Sequence, residues 1–303
     1  MEHKDLSKMG PLCVILSAIL FGMMPLFTKV AYAFGCSTDT AAMGRFLFGG
    51  VGLWIVITAS PKLSFHVTKQ EFLHILLLSL PFCATTFLLY GSYSFISSGL
   101  ATTLHFTYPV VVMVLSMIFF HTKLQARQLI CLLICAAGIL CLYRPGGNTG
   151  MKGIVMALLS GVTYSIYILL LGKIGLKRLH VLTVTFWLCI LSLLEIGAVS
   201  IAGGEVTIPT AWQAWAAMAG LGLSASVAAL ALFQIGVSLC GEVKASLLST
   251  FEPLTGVVIG IVVFNESLTA PIAAGILLIL CSAVLLVISP EKKQREAQYG
   301  KST

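Results

Sequence analysis

Residues 99–124, GLATTLHFTYPVVVMVLSMIFFHTKL, and residues 243–268, VKASLLSTFEPLTGVVIGIVVFNESL, are two copies of one pattern. A shift of 144 residues lays Ala101 on Ala245, Leu104 on Leu248, Pro109 on Pro253, Val114 on Val258, Phe120 on Phe264 and Leu124 on Leu268. The likeness runs on to residues 142 and 286, and one period holds five apolar segments. An odd repeat enters a bilayer upside down. Two inverted halves facing each other across the midplane are the plan of a secondary transporter that exposes its site to one side at a time.

The rest of the chain agrees with a membrane reading. Hydrophobic residues make up 58% and charged residues 10%, and the mean hydropathy is +1.01; too little polar surface remains for a soluble globule. Charge clusters and Gly, Pro or polar breaks mark off ten apolar stretches, at 10–34, 40–59, 71–95, 100–120, 126–143, 151–172, 180–202, 211–239, 244–264 and 270–289. Each is about the length that crosses roughly 30 Å of hydrocarbon as a helix. The expected fold is therefore an all-α membrane protein with ten transmembrane helices as two inverted five-helix repeats. The seam falls in the Gly- and Pro-containing loop 144–150, giving halves 1–147 and 148–303, the second ending in a short basic tail.

With both termini inside, the inner segments hold Lys4, Lys8, Lys62, Lys69, Lys123, Arg127, Lys173, Lys177, Arg178, Lys244, Lys292, Lys293, Arg295 and Lys301, and the outer loops only Arg144 and Lys152. That asymmetry predicts cytoplasmic termini in a bacterial inner membrane. It also accounts for the net charge of +7 without a nucleic-acid partner. The first apolar run, up to Ala31-Tyr32-Ala33, is too long for a cleaved signal and contains Lys29, which is expected to reach the interface. Most of the nine cysteines fall within spans and read as small packing residues.

Several residues could carry chemistry. Glu252, about eight residues into the ninth span and just before Pro253, is a carboxylate where insertion costs about 2.5–3.5 kcal/mol. It reads either as a coupling or ammonium-binding group, or as a structural partner for freed backbone N–H groups. Arg45 in the second span and Glu195 in the seventh pose the same problem, and read as gating or counter-charge residues; a snorkelling arginine is the alternative for Arg45. Tyr90 and Tyr93, then His105, Thr107 and Tyr108, share helix faces at spacings of three or four. Tyr108 holds the repeat position of Glu252. These residues would line a central cavity, completed by Tyr164, Tyr167, Gln234 and Ser238, or would form interhelical hydrogen bonds. Pro25, Pro81, Pro109 and Pro253 are expected to kink their spans.

The chain has no P-loop, no G-x-S-x-G and no H-E-x-x-H, and Cys131 and Cys135 lack a second pair at zinc spacing. Neither an enzyme, a metal site nor a cofactor is expected, and nothing specifies an oligomer.

At Ala245-Ser246-Leu247-Leu248, Phe251-Glu252-Pro253-Leu254 and Asn265-Glu266-Ser267-Leu268, with the first-half echo Gly99-Leu100-Ala101-Thr102-Thr103-Leu104 and the pair Arg45-Phe46, the chain resembles the EamA family of the drug/metabolite transporter superfamily. The resemblance implies a ten-helix inverted-repeat transporter, often an exporter of amino acids or related metabolites, with a cavity lined by helices 1, 3, 4, 6, 8 and 9. Where members of that family carry basic cavity residues for phosphate-bearing substrates, spans four and nine have no matching Lys or Arg, which argues against such substrates. The expected function is thus secondary active export of a small polar metabolite, an amino acid, by alternating access, with a proton as coupling ion. The alternatives are a multidrug-type exporter of hydrophobic cations and, from another class, an intramembrane lipid-modifying enzyme using Glu252 and His105.

Overall fold

The computed structural model describes residues 2–120, 126–142, 150–174, 176, 178–203, 207–240, 245 and 248–288. The expected seam at residue 147, Lys123, the segment 242–244 and the basic tail lie outside these, as does the side chain of Ser238. Among the described residues every regular element is helical. The order is α1 Glu2–Gly22, α2 Met24–Ala33, α3 Thr38–Ala59, α4 Lys69–Ser92, α5 Ser98–His105, α6 Tyr108–Phe120, α7 Ala126–Leu142, α8 Met151–Lys173, α9 Val181–Gly203, α10 Trp212–Leu221, a π-helical stretch Gly222–Ala229, α11 Leu230–Cys240, α12 Phe251–Phe264 and α13 Ala270–Ile288.

Seven stretches are long and apolar enough to cross a membrane: Met9–Ala33, Thr38–Ala59, Lys69–Ser92, Ser98–Phe119, Met151–Leu171, Val181–Ile201 and Trp212–Gly236. The described parts of the other three expected spans are shorter apolar helices, Leu129–Cys141, Phe251–Phe264 and Ala270–Leu285. Hydroxyl-bearing residues are buried within an apolar core, and large apolar side chains cover the outside. Ser17, Thr28, Ser79, Ser92, Thr103 and Ser160 are fully buried, while Leu140, Val199, Ile201 and Val262 are about three-quarters exposed, facing lipid. Many buried hydroxyls bond helix carbonyls, as Thr28 does to Met24 at 2.8 Å and Ser17 does across to Ala229 at 2.6 Å.

Helix ends follow local chemistry. Ser37 caps α3 by accepting the Thr40 N–H, Thr68 and Glu71 form a capping box on α4, and Ser97 caps α5. Asn265 ends α12 in the left-handed conformation at φ 50°, which asparagine tolerates better than most residues.

The prolines divide. Pro25 opens α2 after a break at Met23, and Pro109 follows a break at Phe106–Thr107 that splits the fourth span. Pro81 sits inside an unbroken α4. Pro253 falls in the first turn of α12, where N–H groups have no intrahelical acceptor and a missing one costs little.

Packing respects the duplication. With α1–α2 matched to α8, α3 to α9, α4 to α10–α11, α5–α6 to α12 and α7 to α13, the main contacts between the two halves map onto one another. The pairs α3·α9, α5·α12 and α7·α13 map onto themselves, and α1·α11 maps onto α4·α8.

Candidate functional site

Two helix breaks at one repeat position build the centre of the molecule. The fourth span stops at His105 and resumes at Tyr108; α12 starts at Phe251 after a turn at Ser249–Thr250. Tyr108 and Glu252 therefore both stand in the first turn of a helix rather than deep in a continuous span. A carboxylate at that place gains from the partial positive charge of the helix N-terminus. Close helix approach holds the breaks together: a Cβ on Gly99 would sit 2.8 Å from the Val257 Cα, and one on Gly161 would sit 3.0 Å from the His105 carbonyl oxygen.

Around these breaks the tyrosines converge. The rings of Tyr108 and Tyr164 meet edge-on at 4.9 Å, Tyr164 stacks on Tyr167 at 5.7 Å, and His105 lies 5.3 Å from Tyr164 and 5.9 Å from Tyr108. Ser160 donates its one hydroxyl hydrogen to the Ala157 carbonyl at 2.6 Å. It must then accept from His105 Nδ1, 2.9 Å away, which places a proton on Nδ1 and leaves Nε2 as the acceptor of the neutral ring.

Arg45 enters from α3. Its Nη1 donates to Thr86 Oγ1 at 3.1 Å, and its guanidinium carbon lies 5.6, 5.7 and 5.8 Å from the ring centres of Phe46, Phe82 and Tyr90. Such stacking suits a weakly hydrated planar cation. Its Nε is buried and, like Tyr93 Oη, unpartnered among the described residues. Tyr93 stacks on Tyr90 at 6.0 Å.

The Glu252 carboxylate lies within electrostatic reach of Arg45, Tyr93, Tyr108 and Tyr164. Yet neither Glu252 nor Arg45 is in a salt bridge among the described residues, and the Glu252 side chain makes no hydrogen bond there. Tyr90, Tyr93, His105 and Arg45 are buried, whereas Glu252, Tyr108 and Tyr164 keep partial exposure inside the bundle. An open groove of about 570 Å³ lies well away, at the α3–α4 link, between Phe65, His66, Phe72 and Trp187.

The structure thus brings together Glu252, Arg45, His105, Tyr90, Tyr93, Tyr108 and Tyr164. Gln234 on α11 keeps a buried, unpartnered Nε2, with no interaction that ties it to the cluster. Glu195 is on α9 against Ser79 of α4, a separate contact. Cys131, Cys135 and Cys189 are buried, as packing residues are.

Lys29 is not left to solvent alone. It pairs with Glu266 at 2.5 Å and lies 4.9 Å above the Phe264 ring. Glu266 also accepts the Ser98 N–H at 2.9 Å and the Ser98 hydroxyl at 2.7 Å, so it clamps the ends of α2 and α12 to the start of α5. Burial opposes ionisation of Glu266, but the Lys29 and Ser98 hydrogen bonds outweigh it and hold the carboxyl below its usual range. The signal for this pair was two charges at apolar positions, each requiring a partner.

An apolar-surfaced helical bundle with broken helices around buried opposite charges defines a multi-pass membrane transporter. The EamA-like transporter family model matches residues 8–144 and again residues 151–288, and the chain belongs to that family. It is 28% identical over 295 residues to the uncharacterized transporter YvbV of Bacillus subtilis (strain 168), covering 93% of this chain and 92% of that one. It is also 28% identical over 206 residues to the uncharacterized transporter sll1319 of Synechocystis sp. (strain ATCC 27184 / PCC 6803 / Kazusa), covering 66% of this chain and 61% of the other. One crystal structure shares the fold at a TM-score of 0.64 and 16% identity, over 91% of this chain and 95% of that one.

Proposed function

We propose that this transporter is a secondary active exporter of a zwitterionic metabolite, an amino acid, built of ten spans in two inverted five-helix repeats and working by alternating access. One observation carries the reading. Arg45 and Glu252, of opposite charge and from opposite halves, face one cluster without touching each other. Each charge in hydrocarbon costs about 2.5–3.5 kcal/mol, so an arrangement that keeps them apart calls for a ligand that meets both. An α-carboxylate suits the free Nε edge of Arg45 and an α-ammonium suits Glu252, with the tyrosines against the side chain. When the solute leaves, Glu252 takes a proton or turns toward Arg45. The charge asymmetry of the loops supports cytoplasmic termini in a bacterial inner membrane, which puts Lys29 and Glu266 on the outer side.

The test is release of a labelled amino-acid panel from proteoliposomes, with and without a pH gradient. Gradient-dependent release of some members is expected, and Glu252→Gln should abolish it. No release by folded protein under either condition refutes the amino-acid reading. The tyrosine cage beside Glu252 favours a second reading, export of lipophilic cations. The two separate on Arg45: amino-acid amides, lacking the carboxylate, should not compete in the first case, and Arg45 should be dispensable in the second.

A further inference from the structure

The link between α3 and α4, residues 60–68, joins two membrane-length helices and so lies at a bilayer surface. Side chains of α9 pin it down. Thr183 donates to the Ser64 carbonyl at 2.8 Å, and the Trp187 indole N–H donates to the Phe65 carbonyl at 3.0 Å. Rings fill in behind, with Phe65 4.9 Å from Phe186 and Phe72 edge-on to Trp187 at 5.6 Å. The open groove of about 570 Å³ is cut between these fixed walls, and it has the size of a small-molecule site.

Its lining changes character with depth. His66, Thr68 and Lys69 bring polar groups at the start of α4, and Leu73 follows Lys69 one helical turn further into the span. Leu73, Leu77 and Leu80 are 62%, 49% and 56% exposed at helical spacing, so the apolar side of the groove runs on without a break into a lipid-facing stripe of α4. Phe65, Phe72 and Trp187 stand at the transition, where aromatic rings collect at membrane surfaces.

Charge at the polar side is positive. Lys69 is exposed and in no salt bridge among the described residues. Arg178, on the link from α8 to α9, lies within electrostatic reach of Glu71. The Glu71 carboxylate does not line the groove and is turned to Thr68, whose N–H and hydroxyl it accepts at 2.8 Å each. Lys69 and Arg178 against Glu71 leave one net positive charge. A soluble anion would meet that charge and leave the aromatic wall bare. A zwitterionic lipid would cover the wall and leave Lys69 without a counter-charge.

We infer that this groove binds an anionic phospholipid, with the glycerol-phosphate headgroup against Lys69 and His66 and an acyl chain over Phe72 and along Leu73, Leu77 and Leu80. Phe72 belongs to the first half and Trp187 to the second, so the bound lipid touches both. The site is independent of what the central cluster carries.

Trp187 reports on the site directly. In a full-length protein with Trp54, Trp212 and Trp215 replaced by Phe, its fluorescence is measured in phosphatidylcholine vesicles containing phosphatidylglycerol or phosphatidylcholine with the same brominated chains. Half-quenching is expected at an about fivefold lower fraction of brominated phosphatidylglycerol, the effect of one basic residue at an anionic surface. Lys69→Gln should remove the preference, whereas Lys62→Gln, exposed on the same link but outside the groove, should keep it. Equal quenching by the two lipids, or equal loss with Lys62→Gln, overturns the site. Relief of quenching by millimolar soluble glycerol phosphate would make the groove a free-anion site and overturn the lipid. Native mass spectra of the unaltered chain, offered both lipids in equal amounts, test the same preference without the tryptophan replacements: retained phosphatidylglycerol that falls with Lys69→Gln is expected, and equal retention of the two lipids counts against the site.

Discussion

Replacing Glu266 by Gln should open the end of the bundle where α2, α5 and α12 meet. The carboxylate takes hydrogen bonds from Lys29 at 2.5 Å, from the Ser98 N–H at 2.9 Å and from the Ser98 hydroxyl at 2.7 Å. Hydrogen bonds to charged groups contribute about 1.5–3 kcal/mol each when buried. Here the side chains are 20% and 15% exposed, and the amide of Gln keeps part of the Ser98 contact. A net loss of about 2 kcal/mol follows, roughly 30-fold in a two-state equilibrium at about 1.4 kcal/mol per tenfold. Thr102 makes a suitable reporter, being 1% exposed and one turn below Ser98, to whose carbonyl it donates at 2.9 Å. In a background without native cysteines, a membrane-impermeant maleimide should label Thr102→Cys about 30-fold faster once Glu266→Gln is added. Lys29→Met should act alike, and the double variant should gain little beyond either single one, since both remove one interaction. The carboxyl is held below its ordinary value of 4.5, so the clamp contributes fully above that value and is lost only as pH falls through the lower folded value. Labelling of the parent should thus be flat from pH 5 to 8 apart from reagent chemistry. Additive effects, or acceleration below threefold, would refute the clamp.

Three more outcomes follow from the geometry. Arg45→Lys keeps the charge but loses the planar stack on Phe46, Phe82 and Tyr90, so amino-acid release should fall at least tenfold while lipophilic-cation binding, measured by tracer displacement, stays unchanged. Gly161→Ala drives a Cβ to 3.0 Å from the His105 carbonyl and 3.3 Å from Thr107 Oγ1, and should cost about 1–3 kcal/mol, seen as a lower melting temperature in detergent. Ser160→Ala removes the acceptor that fixes the proton on His105 Nδ1, and should change the His105 tautomer ratio read by nitrogen NMR without disturbing the fold.

The plan of the molecule was legible because it is periodic. Apolar length and an odd repeat needed no coordinates, and the two matches to one family model restate that duplication. Positions of Glu252 and Tyr108 were legible too, but not their setting. Pro253 suggested a kink inside a helix, whereas the helix starts there, since a residue lacking an N–H fits a first turn as well as a bend. The partner of Lys29 was not legible because it lies 237 residues away, and snorkelling is a sufficient local explanation for any lysine near a span end. The π-helical stretch at Gly222–Ala229 left no pattern, because the same small residues pack equally in an α-helix.

The duplicated scaffold makes its asymmetries informative. Exchange of the halves preserves the main contacts between them, yet it places Tyr108 where the other half has Glu252. Arg45 belongs to the first half and Glu252 to the second, so the two charges ride on different repeats. In the alternating access proposed above, motion of one half against the other would change their separation, and with it the fit of a solute held between them. Glu195 also joins the two halves, through its hydrogen bond with Ser79 of α4.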